Sequence, residues 1–195
     1  MPEEEKPIHP RKLEIVHAAV TCFLERGYHQ TGVRDIARQA GISLGNLYNH
    51  FKGKEGVLAF VAEIEGEELS GFFEGLSDTS HPQVAMERFI EEYAAYVSRP
   101  ENALLGVEIL TEAIRNPTIA EVFGRNRNLL IDALVQCLCE GGKRGAFRQF
   151  ADARAVAFTI LDALEGNGLR SLSRKAPSEE IIETIQKLLF QGLKA

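Results

Sequence analysis

Apolar residues recur every three to four positions along most of the chain, and no stretch alternates strictly as a half-buried strand does. The pattern predicts an all-α fold of nine helices. A first helix over 10–26 opens on Pro10 and places Ile15, Val16, Ala19, Val20, Phe23 and Leu24 on one face before Gly27 ends it. Thr31 is placed to cap a short helix with inner face Val33, Ile36, Ala37 and Ala40. Gly41 breaks that helix, and Ser43 caps a second short one carrying Leu47, Tyr48 and Phe51. After Gly53 a long helix runs to about residue 73, and 75–82 reads as a loop. Further helices are expected from Pro82 to about 98, over 101–115, from Pro117 to about 140 and over 151–172. Gly141, Gly142 and Gly145 mark a turn, and Pro177-Ser178 opens the last helix. Residues 1–9 read as a loose arm.

The segment 31–54, TGVRDIARQAGISLGNLYNHFKGK, carries the most specific signal. Two short helices joined by a tight Gly41-Ile42-Ser43 turn, with apolar residues at 36, 37, 40, 42, 47 and 51, form a helix-turn-helix. The second helix turns Leu44, Gly45, Asn46, Tyr48, Asn49 and His50 outward, a set of donors beside a side-chain-free glycine that suits a DNA major groove. In order and spacing, Thr31, Val33-Arg34-Asp35-Ile36-Ala37, Ala40-Gly41-Ile42-Ser43, Leu47-Tyr48-Asn49-His50-Phe51, Lys52 and Lys54-Glu55 closely resemble the TetR family of bacterial repressors. The resemblance runs from about Lys12 to Leu58; beyond Phe60 only the helical architecture matches.

That resemblance implies an N-terminal helix-turn-helix DNA-binding domain at 10–53 and a C-terminal ligand-binding and dimerisation domain at 54–195. It implies that Thr31, Tyr48, His50 and Lys54 meet phosphates, while Leu44, Gly45, Asn46 and Asn49 face base edges. Gly32, Val33, Ser43 and Lys52 complete the DNA-contacting set. The Gly45-Asn46 pair stands where many members have a small residue followed by Thr or Ser, which changes the sequence read rather than the mode.

Charge distribution agrees. The chain is −6 overall, but residues 11–60 are +3 and residues 61–195 are −7. A modestly basic head on an acidic body suits a site-specific binder better than a protein that coats nucleic acid. No apolar run spans a bilayer and the first ten residues are not a secretory signal, so a cytoplasmic protein is expected. Cys22, Cys137 and Cys139 form no disulfide or metal frame and read as buried free thiols; no cofactor and no metal is expected. The chain lacks H-E-x-x-H, P-loop and G-x-S-x-G motifs, and Gly166-Asn167-Gly168 fails as a dinucleotide fingerprint, so no enzyme is expected.

In the body, the small residues of 151–172 and the wide apolar stripe of the last helix point to a homodimer seam. Its expected members are Ala163, Gly166, Leu169, Ile181, Ile185, Leu188 and Leu189. An apolar ligand pocket is expected among the helices between 54 and 172. Its candidate lining is Phe72, Phe89, Tyr93, Tyr96, Glu108, Thr111, Glu112, Phe123, Arg127, Phe158 and Asp162. Carboxylates beside aromatic residues favour a hydrophobic ligand with a positive rather than a negative charge. The expected function is a sequence-specific repressor of a palindromic double-stranded operator, released by that ligand. An activator of the same fold, or a regulator controlled by a partner protein, has the same signature.

Overall fold

The computed structural model describes residues 10–77, 80–173 and 178–193. Nine helices and no strand occur among them: α1 Pro10–Arg26, α2 Val33–Gln39, α3 Leu44–His50, α4 Lys54–Ser77, α5 Pro82–Val97, α6 Pro100–Ala113, α7 Pro117–Lys143, α8 Ala153–Ser171 and α9 Ser178–Leu193. Local chemistry explains most boundaries. Proline opens α5, α6 and α7, where its missing N–H costs nothing. Ser43, Asn116 and Asp152 accept first-turn amides of α3, α7 and α8 with their side chains. Gly41, at φ +65°, supplies the left-handed residue of the α2–α3 turn. The expected arm at 1–9 and the helix start at Pro177 lie outside the described residues.

Helix α6 ends at Ala113 rather than 115 and α8 starts at Ala153 rather than 151, and three further boundaries differ for a packing reason. The fourth helix continues past Gly75, because Leu76 is fully buried in the body core. The seventh continues through Gly141 and Gly142, because the Phe147 ring folds back onto Gly141: a Cβ there would sit 2.1 Å from Phe147 Cδ2. The α2 cap is Gly32 rather than Thr31. The Thr31 hydroxyl turns inward instead and donates to the Gly27 and Cys22 carbonyls, at 2.9 and 3.1 Å.

Two apolar clusters hold the molecule together. One joins α1–α3 through Ile15, Phe23, Ile36 and Leu47, takes in Val57, Leu58, Phe60 and Val61 of α4, and reaches Ile119 and Phe123 of α7. The second packs α4, α5, α7 and α8 around Met86, Ile90, Leu130, Leu134, Leu161 and Leu164, with the inner face of α9 against it. Helix α6 is mostly half-buried or exposed: of its 14 residues only Ala103 and Glu112 are buried, with Leu105, Ile109 and Ala113 packed on the first cluster. No described helix is long and apolar enough to cross a membrane. Of the cysteines, Cys22 and Cys137 are buried as expected, but Cys139 is exposed.

Candidate DNA-binding face and ligand cavity

The α2–α3 unit leaves one face of α3 bare. Leu47 is completely buried and ties the helix into the head core, while Gly45, Tyr48 and Asn49 are exposed, Tyr48 by 52%. Around Gly45 the space is open, so another backbone can approach this helix closely. Ser43 is spent on its cap, accepting from the Asn46 amide at 3.1 Å. Leu44, Asn46 and His50 are half-buried at the edges of this face, and Lys52 is exposed just beyond it. Gly32 is exposed at the α2 start and Val33 packs half-buried on the head core.

Two expected phosphate contacts are not placed for that role. Thr31 is 1% exposed with its hydroxyl committed inward. The Lys54 ammonium donates to the Tyr28 carbonyl at 2.7 Å and lies 4.0 Å over the Tyr28 ring. Burial lowers its pKa, against the opposing pull of Glu55 and Glu112. Lys54 is therefore a strut between α4 and the α1–α2 turn. Sequence could not show this, because the competing acceptor is a backbone carbonyl 26 residues away.

A cavity of about 640 Å³ opens between α1, α4, α5, α6, α7 and α8. Its walls are apolar at Val20, Val61, Leu69, Leu105, Ile109 and Leu169. Of the expected lining, Tyr93, Tyr96, Phe123 and Arg127 are present. Phe72 and Phe89 instead stack behind the two tyrosines, Phe72 edge-on to Tyr93 at 5.4 Å and Phe89 parallel to it at 5.2 Å. Phe158 and Asp162 lie on the outer surface of α8, because a helix with apolar residues on two faces turns one of them away from the core. Thr111 is exposed. Glu108 and Glu112 do not enter the cavity. Glu108 accepts the Tyr28 amide at 2.7 Å, and a Glu112 oxygen lies 2.9 Å from His29 Nε2.

The acidic residues that do line the cavity are Glu65, Glu68, Glu101 and Glu165. Arg127 is engaged already, its Nε donating to Glu165 at 3.1 Å and its Nη2 to Asp162 at 2.5 Å. Among the described residues no cation pairs with Glu65; Asn126 donates to it at 2.8 Å. Desolvation pushes the Glu65 carboxyl up to about 7, against the opposing effect of that hydrogen bond. Glu165 is raised as well, burial outweighing Arg127. The Tyr96 hydroxyl donates to Glu68 at 3.0 Å, and Tyr93 donates to Glu165 at 3.1 Å. Read singly, Glu65 and Glu165 are polar positions on amphipathic helices; only the fold brings them to one chamber.

The expected dimer seam divides. Leu169 faces the cavity, within reach of Gly106. Ile181, Ile185 and Leu189 are half-buried, the last two against the body core. Ala163 is half-buried, Gly166 borders open space, and Leu188 is 64% exposed. Gly168 is small for another reason: a Cβ would lie 2.5 Å from the Val97 carbonyl, where α8 crosses the end of α5.

Residues 15–61 match the family described as bacterial regulatory proteins, tetR family. The HTH-type transcriptional repressor KstR2 of Mycolicibacterium smegmatis is 41% identical over 157 residues, 78% of this chain and 75% of its own. The fatty acid metabolism regulator protein of Bacillus subtilis is 26% identical over 166 residues, 82% of either chain. Among solved structures, FadR from Bacillus subtilis in complex with stearoyl-CoA superposes with a TM-score of 0.77 at 22% identity, covering 93% of this chain and 98% of its own. Helix-turn-helix, helical body and relatives agree: the chain belongs to the TetR family of transcriptional regulators, proteins that bind DNA.

Proposed function

We propose that the protein is a cytoplasmic homodimeric repressor that leaves a palindromic operator when a small hydrophobic ligand, preferably a monocation, fills the cavity between α1 and α8. The observation that carries the ligand class is the cavity itself. Its size suits a drug-sized molecule and its walls are mostly apolar; among its polar residues are four carboxylates, Glu65, Glu68, Glu101 and Glu165, and one guanidinium, Arg127, that is already paired. A buried carboxylate without a cation is costly, and a bound monocation removes that cost while Tyr93 and Tyr96 offer aromatic faces. The 10–53 head is proposed as the DNA-binding unit, with Gly45, Tyr48 and Asn49 central to it. The seam is proposed on the outer faces of α8 and α9, where Ala155, Thr159, Leu188 and Gly192 line a shallow groove.

A second reading, an acyl thioester, is favoured by the relative solved with stearoyl-CoA. The two separate by experiment. An operator is first recovered by selection from random duplex DNA. The protein is then titrated with tetraphenylphosphonium, rhodamine 6G and stearoyl-CoA between about pH 6 and pH 8. Expected are operator release by the cations and an affinity that climbs with pH as Glu65 ionises near 7, levelling above it. The climb should persist in His17→Gln, which removes the imidazole at the cavity edge. Release by stearoyl-CoA alone would assign the thioester, with the regulator reading intact.

A further inference from the structure

Four of the ten large apolar side chains that stand exposed among the described residues belong to one segment: Leu104, Val107, Leu110 and Ile114, from 39% exposed at Val107 to 78% at Ile114. The inner face of α6 is already used, with Leu105, Ile109 and Ala113 packed on the first cluster. The spacing of the four others confines them to about 120° of the helix circumference, over a length of about 15 Å. Ile114 is the C-cap, but its φ of −60° and ψ of −28° keep it on the helical path, so the stripe is unbroken. Leu110 also borders the cavity mouth, as does Glu101. Single exposed apolar residues are ordinary; a row of four is the pattern of a surface that meets another.

Charge at the two ends of the stripe says what it meets. Glu101 is exposed one turn before Leu104, and exposed Arg115 directly follows Ile114. Neither side chain makes an ion pair among the described residues. At about 100° per residue both fall on the same side of the stripe. When two such helices pack antiparallel about a two-fold axis, Leu104 of one meets Ile114 of the other and Val107 meets Leu110. Like flank then meets like flank, so Glu101 meets Arg115 at both ends. The stripe is complementary to itself in apolar register and in charge.

We propose that α6 pairs antiparallel with α6 of a second copy, through a face that shares no residue with the groove on α8 and α9. One helix pair covers well under the roughly 1,200 Å² at which stable interfaces begin, so the pairing is weak and forms between copies held at high local concentration. It needs neither the ligand nor the α8–α9 seam. Where that seam joins two copies, α6 links two dimers and brings two pairs of heads into one particle.

Sedimentation equilibrium of the unliganded protein from about 10 μM to 1 mM decides it. The mass is expected to rise with concentration towards twice that of the particle present at the low end. Ile114→Arg is expected to abolish the rise and to leave helical circular dichroism and melting temperature unchanged, since this side chain is mostly in solvent. Glu101→Arg and Arg115→Glu should each weaken the association about tenfold, by setting like charges opposite one another. The Glu101→Arg, Arg115→Glu double variant should recover it, because both pairs are then reversed. Leu188→Arg keeps the α6 contact separate from the α8–α9 seam: it should lower the mass at the low end, while the doubling at the high end persists. A mass that stays constant over the whole range overturns the pairing and gives the stripe to an unlike partner. A rise that Ile114→Arg leaves intact overturns it too, as does a double variant no better than the single ones.

Discussion

At the residue scale, the head separates residues that face outward from residues that merely match a motif. Lys52 is exposed beside the bare face of α3, whereas Lys54 is tied to Tyr28. Lys52→Ala should weaken binding on every sequence and lower the salt slope by about one. Asn49→Ala should instead relax discrimination at one base pair, by about 1–3 kcal/mol. Equal losses on specific and random DNA for both variants, read by fluorescence anisotropy, would contradict this division. Glu65 supplies a second residue-level prediction. Its folded pKa lies above its unfolded value, so the folded state holds the proton more tightly, and stability is lost as pH rises from about 4 to 7. Glu65→Gln should remove that part of the pH dependence and leave the protein more stable than wild type above pH 7, on the order of 2 kcal/mol by urea titration.

At the element scale, the helices were legible because proline and glycine punctuate them and apolar residues recur at helical spacing between those breaks. The cavity was legible only in part. Tyr93, Tyr96, Phe123 and Arg127 could be picked out as large or charged residues in the right helices, but periodicity does not say which carboxylates end up facing one another across a fold. The small residues of α8 show the same limit: a stripe of Ala and Gly signals close approach without naming the neighbour. Gly166 and Gly168, two residues apart, separate the cases. Gly168→Ala drives a Cβ into the immobile Val97 backbone and should destabilise by about 1–3 kcal/mol. Gly166→Ala has open space around it and should stabilise the monomer by up to about 1 kcal/mol through helix propensity. Comparable destabilisation by both substitutions in thermal melts would show that the α8 crossing is read wrongly.

At the scale of the whole molecule, one head with a seven-residue recognition helix covers too few base pairs to find a single site, and pairing two heads supplies the missing length. A two-fold dimer would set its recognition helices about 34–36 Å apart, one turn of DNA. Leu188, 64% exposed on α9, lines the α8–α9 groove proposed as the seam, together with Ala155, Thr159 and Gly192. Leu188→Arg should convert the protein to a monomer in sedimentation and abolish tight operator binding, with the helical circular dichroism unchanged. A dimer that survives this change would move the seam off the α8–α9 groove. The acidic body adds a general effect: net charge of −6 opposes loose association with DNA, so binding should depend on the paired heads.

The chain has four tyrosines and no tryptophan. Tyr48 stands on the face of α3 proposed to meet DNA, Tyr28 sits in the turn gripped by α4 and α6, and Tyr93 and Tyr96 line the cavity. The molecule thus carries its own reporters at the cavity, at the α1–α2 turn and on the proposed DNA face. With tyrosine labelled only at its ε ring carbons, four resonances would follow the cavity, the turn and the DNA face in one spectrum, each at its own station and without an added dye.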